Sequence, residues 1–144
     1  MRTQRFMLVF FAVVLSLSAS IASQQPTPAQ PDAIPRLKLE DFRGQLATGT
    51  MLVVDVRDEL VYRAGHIPGA ISVPLADIEK HAPDLRGRAQ QRLVVTYCSC
   101  PSEQTALTAA VALWKSGLTN VSVLIGGYPE WLATGGAIEK GGGG

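Results

Sequence analysis

Short apolar runs recur along this chain, separated by stretches whose apolar residues return at helical spacing. Met51–Val56 (MLVVDV), Leu93–Tyr97 (LVVTY) and Val121–Leu124 (VSVL) are the strongest runs. Runs this short and this apolar predict strands buried on both faces. Ala70–Val73 predicts one further short strand, stopped by Pro74. Between them, Leu37, Leu39, Phe42 and Leu46 fit a short amphipathic helix over Leu37–Leu46, ended near Thr48-Gly49. Glu59–Arg63 predicts one helical turn before Gly65, and Leu75–His81 a short helix. Thr105–Ser116 predicts the clearest helix: Leu107, Val111, Leu113 and Trp114, with alanines between them, suit close packing on a sheet. Gly117 closes it as a left-handed residue after a helix. Tyr128–Ala133 predicts a last turn or two after Gly126-Gly127. Strands alternating with helices predict an α/β fold, a small and mainly parallel sheet flanked by helices on both faces. Ligands in such sheets bind beyond the carboxyl ends of the strands. That rule puts Asp55–Arg57 and the loop after Tyr97 at one edge.

The amino-terminal pattern is different. Arg2 and Arg5 precede the apolar run Phe6–Leu17, and small residues Ser18–Ser23 follow. A basic start, an apolar middle and a small-x-small site such as Ser20-Ile21-Ala22 predict a secretory signal peptide over residues 1–22. The alternative is an uncleaved anchor, but Phe6–Ala22 is only 17 residues long, at the short edge of the ~20 that a span needs. Residues 23–35 are polar and Pro-rich and read as a linker. Residues 36–140 form the expected domain, and 141–144 a flexible glycine tail. The protein is therefore expected in the periplasm or secreted, off the membrane after cleavage, and monomeric.

The chain's 13 basic and 12 acidic residues form no basic stripe, so nucleic acid is not an expected partner. Only two cysteines occur, in Cys98-Ser99-Cys100. They close too small a loop for an ordinary structural disulfide. With only His66 and His81 to assist, they do not make a closed four-ligand zinc site. No metal and no cofactor is expected. What the loop does offer is a thiol between a strand and a helix. Backbone N–H groups and the positive end of the helix favour an anion there. Such a thiolate is expected below the free cysteine value of about 8.5.

Four pieces of the chain, in order, resemble a rhodanese domain over about Arg36 to Leu132. They are Asp55-Val56-Arg57 with Gly65-His66-Ile67-Pro68-Gly69-Ala70, the strand Val94–Cys98, the return Gly117–Leu124, and Gly126-Gly127 with Trp131. The resemblance implies a cysteine that carries sulfane sulfur as a persulfide, taking it from a small sulfur donor and passing it to a thiol acceptor. The chemistry is covalent catalysis through an activated nucleophile.

The loop departs from the family pattern. Cys98-Ser99-Cys100-Pro101-Ser102-Glu103-Gln104-Thr105 is about two residues longer than usual, lacks the usual arginine and carries Glu103. Counting forward from the strand makes Cys98 the nucleophile; counting back from Gly117 makes it Cys100. Pro101 favours Cys98, because a proline beside the nucleophile supplies no N–H. Cys100 is then an alternative nucleophile, a resolving thiol, a plain loop residue, or half of a soft-metal site. Ser99, Ser102, Glu103, Gln104, Thr105 and Arg57 are the expected substrate-binding residues. Glu103 pointing inward would oppose anionic donors. Asp55 and Arg57 are expected to brace the loop as an ion pair, His66 to be structural, and Tyr97 to place its hydroxyl near the pocket rim. Phosphatase chemistry lacks its phosphate-clamping arginine. Three functions compete: an exported sulfurtransferase, a thiol-redox or sulfur-carrier protein using both cysteines with a redox protein partner, and a non-catalytic module that binds a protein.

Overall fold

The computed structural model describes residues 33–142. The expected signal peptide and nearly all of the linker lie outside the described residues. Five strands form one parallel sheet: β1 (Arg36–Leu37), β2 (Met51–Asp55), β3 (Ile71–Ser72), β4 (Leu93–Tyr97) and β5 (Val121–Leu124), in the order β1-β5-β4-β2-β3. Helices α1 (Leu39–Thr48), α2 (Glu59–Ala64), α3 (Ile78–Ala89), α4 (Gln104–Lys115) and α5 (Gly127–Ala133) connect and cover it.

The apolar runs become strands because both faces of the sheet are covered. Leu52, Val54, Val94, Val121 and Val123 face one core, filled by Ile78, Ala82 and Leu85 of α3 and Ala106, Ala110 and Leu113 of α4. Met51, Val53, Val95, Tyr97 and Leu124 face a second core, with Phe42 of α1, Tyr62 of α2 and Trp131 of α5. Alternation along each strand thus feeds two cores rather than one core and solvent.

Two elements differ from the sequence expectation. Leu37 lies in β1, and α1 begins only at Leu39. The edge of β5 claims this segment: the Val123 N–H donates to Pro35 O and the Ile125 N–H to Leu37 O, each at 3.0 Å. The helix expected to end at His81 continues as α3 to Ala89, after a 3₁₀ turn at Leu75–Asp77. Pro83 sits inside it and removes one backbone bond, at a cost of about 3 kcal/mol. The helix persists because Ile78, Ala82, Leu85 and Ala89 make one buried stripe. Its two large side chains contribute about 1.5–3 kcal/mol each.

Strand order positions the site. From β2 the chain moves outward to β3; from β4 it moves outward the other way, to β5. The adjacent pair β2 and β4 is therefore the point where the connections diverge, which opens a crevice at their carboxyl ends.

Candidate active site

That crevice is an open cleft of about 560 Å³. Val56, Arg57 and Asp58 after β2 form one wall, and Cys98, Ser99, Cys100 and Thr105 another. Val61, Pro74, Leu75 and Ala76 complete it, so most of the lining is apolar. Cys98 follows the last residue of β4 and is almost wholly buried, at 2% exposure, whereas Cys100 is half-buried. The backbone fixes Cys98 firmly: its carbonyl accepts the Tyr128 N–H at 2.9 Å, and Gly127 packs against the same carbonyl.

The two sulfurs are joined as a Cys98–Cys100 disulfide, with Cα atoms 5.7 Å apart. The expected cup of N–H donors is divided between them. The Cys100 N–H points at Cys98 Sγ, at 3.4 Å. The Thr105 N–H, in the first turn of α4, donates to Cys100 Sγ at 3.4 Å, and the Thr105 hydroxyl lies 3.5 Å from the same sulfur.

Of the expected substrate-binding residues, Arg57, Ser99 and Thr105 line the cleft; Ser102, Glu103 and Gln104 do not. Ser102 and Gln104 are exposed, and Gln104 faces a separate shallow pocket with Leu107, Thr108 and Val111. Glu103 turns the other way. Its Oε1 accepts the Gly126 N–H at 2.9 Å, and its Oε2 meets Arg36 Nη1 at 3.2 Å. The acid that threatened to repel anions instead ties the loop to β1 and to the turn before α5. It holds a left-handed conformation, φ 50°, as the residue capping α4.

Asp55 and Arg57 form a buried ion pair. Arg57 Nε donates to both Asp55 oxygens at 2.9 and 3.0 Å, and its Nη2 to Asp55 Oδ2 at 2.5 Å and to Gly65 O at 2.8 Å. The guanidinium also stacks 3.9 Å over the Tyr128 ring. Burial opposes its charge, but the Asp55 hydrogen bonds and carboxylate prevail and hold its pKa above the ordinary value. Tyr97 does not reach the rim. Its hydroxyl is buried against Asp55 and the Ile67 N–H, because alternation along β4 turns it to the second core. Burial, then the Asp55 charge, raise its pKa.

His66 is structural in its geometry. It is 1% exposed, stacks on Tyr62 with ring centroids 3.7 Å apart, and sets Nδ1 3.0 Å from Tyr62 O. The sequence reading missed what holds this turn. His66 and Glu139 exchange backbone hydrogen bonds at 2.9 and 3.0 Å, and Glu139 Oε2 accepts the Gly69 N–H at 3.0 Å. The carboxyl-terminal segment is thereby strapped across Gly65–Gly69. No local pattern marks Glu139 for that role.

Residues 38–134 match the rhodanese-like domain family. The chain belongs to this family. Among its relatives, a Bacillus subtilis protein provisionally named sulfur carrier protein YrkF is 30% identical over 100 residues, 69% of this chain and 51% of the relative. The human thiosulfate:glutathione sulfurtransferase is 29% identical over 110 residues, 68% of this chain and 93% of that protein. The chain spans about half the length of YrkF. A rhodanese-like fold also unites it with the crystal structure of the BH2092 protein of Bacillus halodurans. That pair shares a TM-score of 0.66 and 30% identity, over 74% of this chain and 77% of the other. Its distant relatives named as thiosulfate sulfurtransferases place sulfur transfer at the level of the family.

Proposed function

We propose that this rhodanese-like chain is a sulfurtransferase that carries sulfane sulfur as a persulfide on Cys98. The observation that carries the reading is the position of Cys98: at the end of β4, on the floor of a cleft where the sheet connections diverge. In the reaction, the Cys98 thiolate attacks the sulfane sulfur of a small donor, the donor's remainder leaves with the electron pair, and an acceptor thiol then takes the outer sulfur. The cleft's apolar lining and the commitment of Arg57 to Asp55 and Gly65 favour a donor of low charge over a dianion. The test is turnover of a donor and an acceptor thiol. Cys98→Ser should lower it by about a hundredfold or more, while Cys100→Ser keeps sulfur transfer to the acceptor. The reverse pattern would move the nucleophile to Cys100.

A second reading has its own observation, the bonded Cys98–Cys100 pair. A thiol-redox carrier would exchange this disulfide with a partner dithiol and move no sulfur to an acceptor. Export belongs to the same proposal: cleavage after residue 22 would deliver the domain and its linker to an oxidising compartment. Edman sequencing of the mature protein from its native host checks it, and an intact Met1 would overturn it.

A further inference from the structure

Resting on the sulfurtransferase reading of Cys98, we propose that Cys100 is a resolving thiol that expels the carried sulfur as hydrosulfide, making the chain a persulfide reductase as well as a sulfur donor. Three observations carry it. The Cys100 sulfur reaches Cys98 Sγ itself, the inner sulfur of a persulfide formed there. Both cysteines line the same cleft, so an outgoing group on Cys98 has open space before it. Finally, Cys100 Sγ accepts the Thr105 N–H at 3.4 Å, and the Thr105 hydroxyl lies 3.5 Å away. That N–H, with the amino end of α4, favours negative charge on the attacking sulfur.

The step balances within the chain. Cys100 gives up its thiol proton and attacks Cys98 Sγ. The Cys98 Sγ–S bond of the persulfide breaks, and the outer sulfur leaves with the bonding pair as HS⁻. The displaced proton neutralises the persulfide's charge or protonates HS⁻. Cys98 and Cys100 end as the disulfide, and no external oxidant is needed. An external dithiol then reduces the disulfide by exchange and readies the site for another round. An acceptor thiol competes by attacking the outer sulfur instead, which is sulfur transfer. Because Cys100 is held two residues from Cys98, it outcompetes a dilute acceptor.

The test uses reduced, desalted protein, loaded in separate runs with thiosulfate and with glutathione persulfide. Mass and free sulfide are read against a blank lacking both cysteines. In the parent chain we expect about one sulfide released per chain, a loss of two hydrogens across Cys98–Cys100, and repeated rounds once dithiothreitol is added. Before dithiothreitol is added, Cys100→Ser should retain one added sulfur on Cys98 and release no sulfide above the blank. Cys100→Ala should behave identically, which separates the missing thiol from any misfolding. A parent chain that keeps the added sulfur with Cys100 free would overturn the proposal and leave the sulfurtransferase reading standing. If neither the parent nor either Cys100 variant takes up sulfur from either donor, the sulfurtransferase reading fails and the proposal falls with it.

Discussion

Tyr97 and Asp55 stand opposite each other on adjacent strands, and the tyrosine hydroxyl donates to Asp55 Oδ2 at 2.6 Å. The same hydroxyl accepts the Ile67 N–H at 3.2 Å, and Arg57 grips the other side of the carboxylate. One buried acid therefore joins β2, β4, the Arg57 wall of the cleft and the Gly65–Gly69 turn. The wall beside Cys98 is held from beneath by charge and hydrogen bonding, not by apolar packing alone.

Tyr97→Phe should reveal this tie. It removes a donor to a carboxylate and the acceptor for a buried N–H, a loss of about 2–3 kcal/mol in urea unfolding at neutral pH. A pH series sharpens the test. Burial and the Asp55 charge raise the folded pKa of Tyr97, so the folded state keeps a proton that the unfolded chain gives up near its ordinary value of about 10. That stability is fully present below about pH 10 and is lost as the pH rises above it toward the folded pKa. Tyr62, also raised by burial and then by the Glu139 and Asp55 charges, loses stability in the same direction. The parent should weaken steadily above about pH 10, and Tyr97→Phe less steeply. Equal slopes would remove Tyr97 from the account.

Arg57→Ala should cost more. Asp55 is fully buried and Arg57 is only 8% exposed. Removing the guanidinium leaves a buried carboxylate without its cation, which costs about 3–5 kcal/mol. Arg57→Lys should fall between, since an ammonium cannot make the forked contact. Denaturation midpoints of the three proteins give the order. A parent-like midpoint for Arg57→Ala would show that Tyr97 and the backbone satisfy Asp55 without it.

The strands and the edge that carries the cleft were legible because both rest on pattern. Leu93–Tyr97 and Val121–Leu124 appear at their expected limits, since a run buried on both faces has little freedom in where it begins and ends. What escaped was set by long-range contact. Leu37 reads as helix by spacing, yet an unpaired β5 edge takes it as strand. The helix expected to end at His81 runs on past Pro83, because the stripe from Ile78 to Ala89 carries it through. The direction of Glu103 depends on Arg36 and Gly126, 67 and 23 residues away in sequence, and no local rule reports them.

Glu103→Gln tests that direction. The glutamine carbonyl can still accept the Gly126 N–H, and the ion pair lost to a part-exposed Arg36 is worth only about 0–1 kcal/mol. Because Glu103 lies outside the cleft lining, sulfur transfer should stay within about twofold of the parent with anionic and neutral donors alike. A rate with thiosulfate that rises strongly while the rate with a neutral donor holds would return the acid to the site.

Gly127→Ala should disturb Cys98 although Gly127 itself lies outside the cleft lining. Gly127 has φ 51°, and a Cβ there would press into the Cys98 carbonyl oxygen, while the next residue, Tyr128, donates to that same oxygen. Overpacking of this kind costs about 1–3 kcal/mol, and the forced shift of Cys98 should lower sulfur transfer by about tenfold or more. Gly135→Ala is the control. Gly135 has φ 74° with open space where its Cβ would go, so it carries left-handed strain of about 1–2 kcal/mol and no clash. It should lose stability and keep its activity. If the two variants lose activity in equal measure, backbone strain rather than contact with Cys98 is responsible, and Gly127 has no special hold on the nucleophile's position.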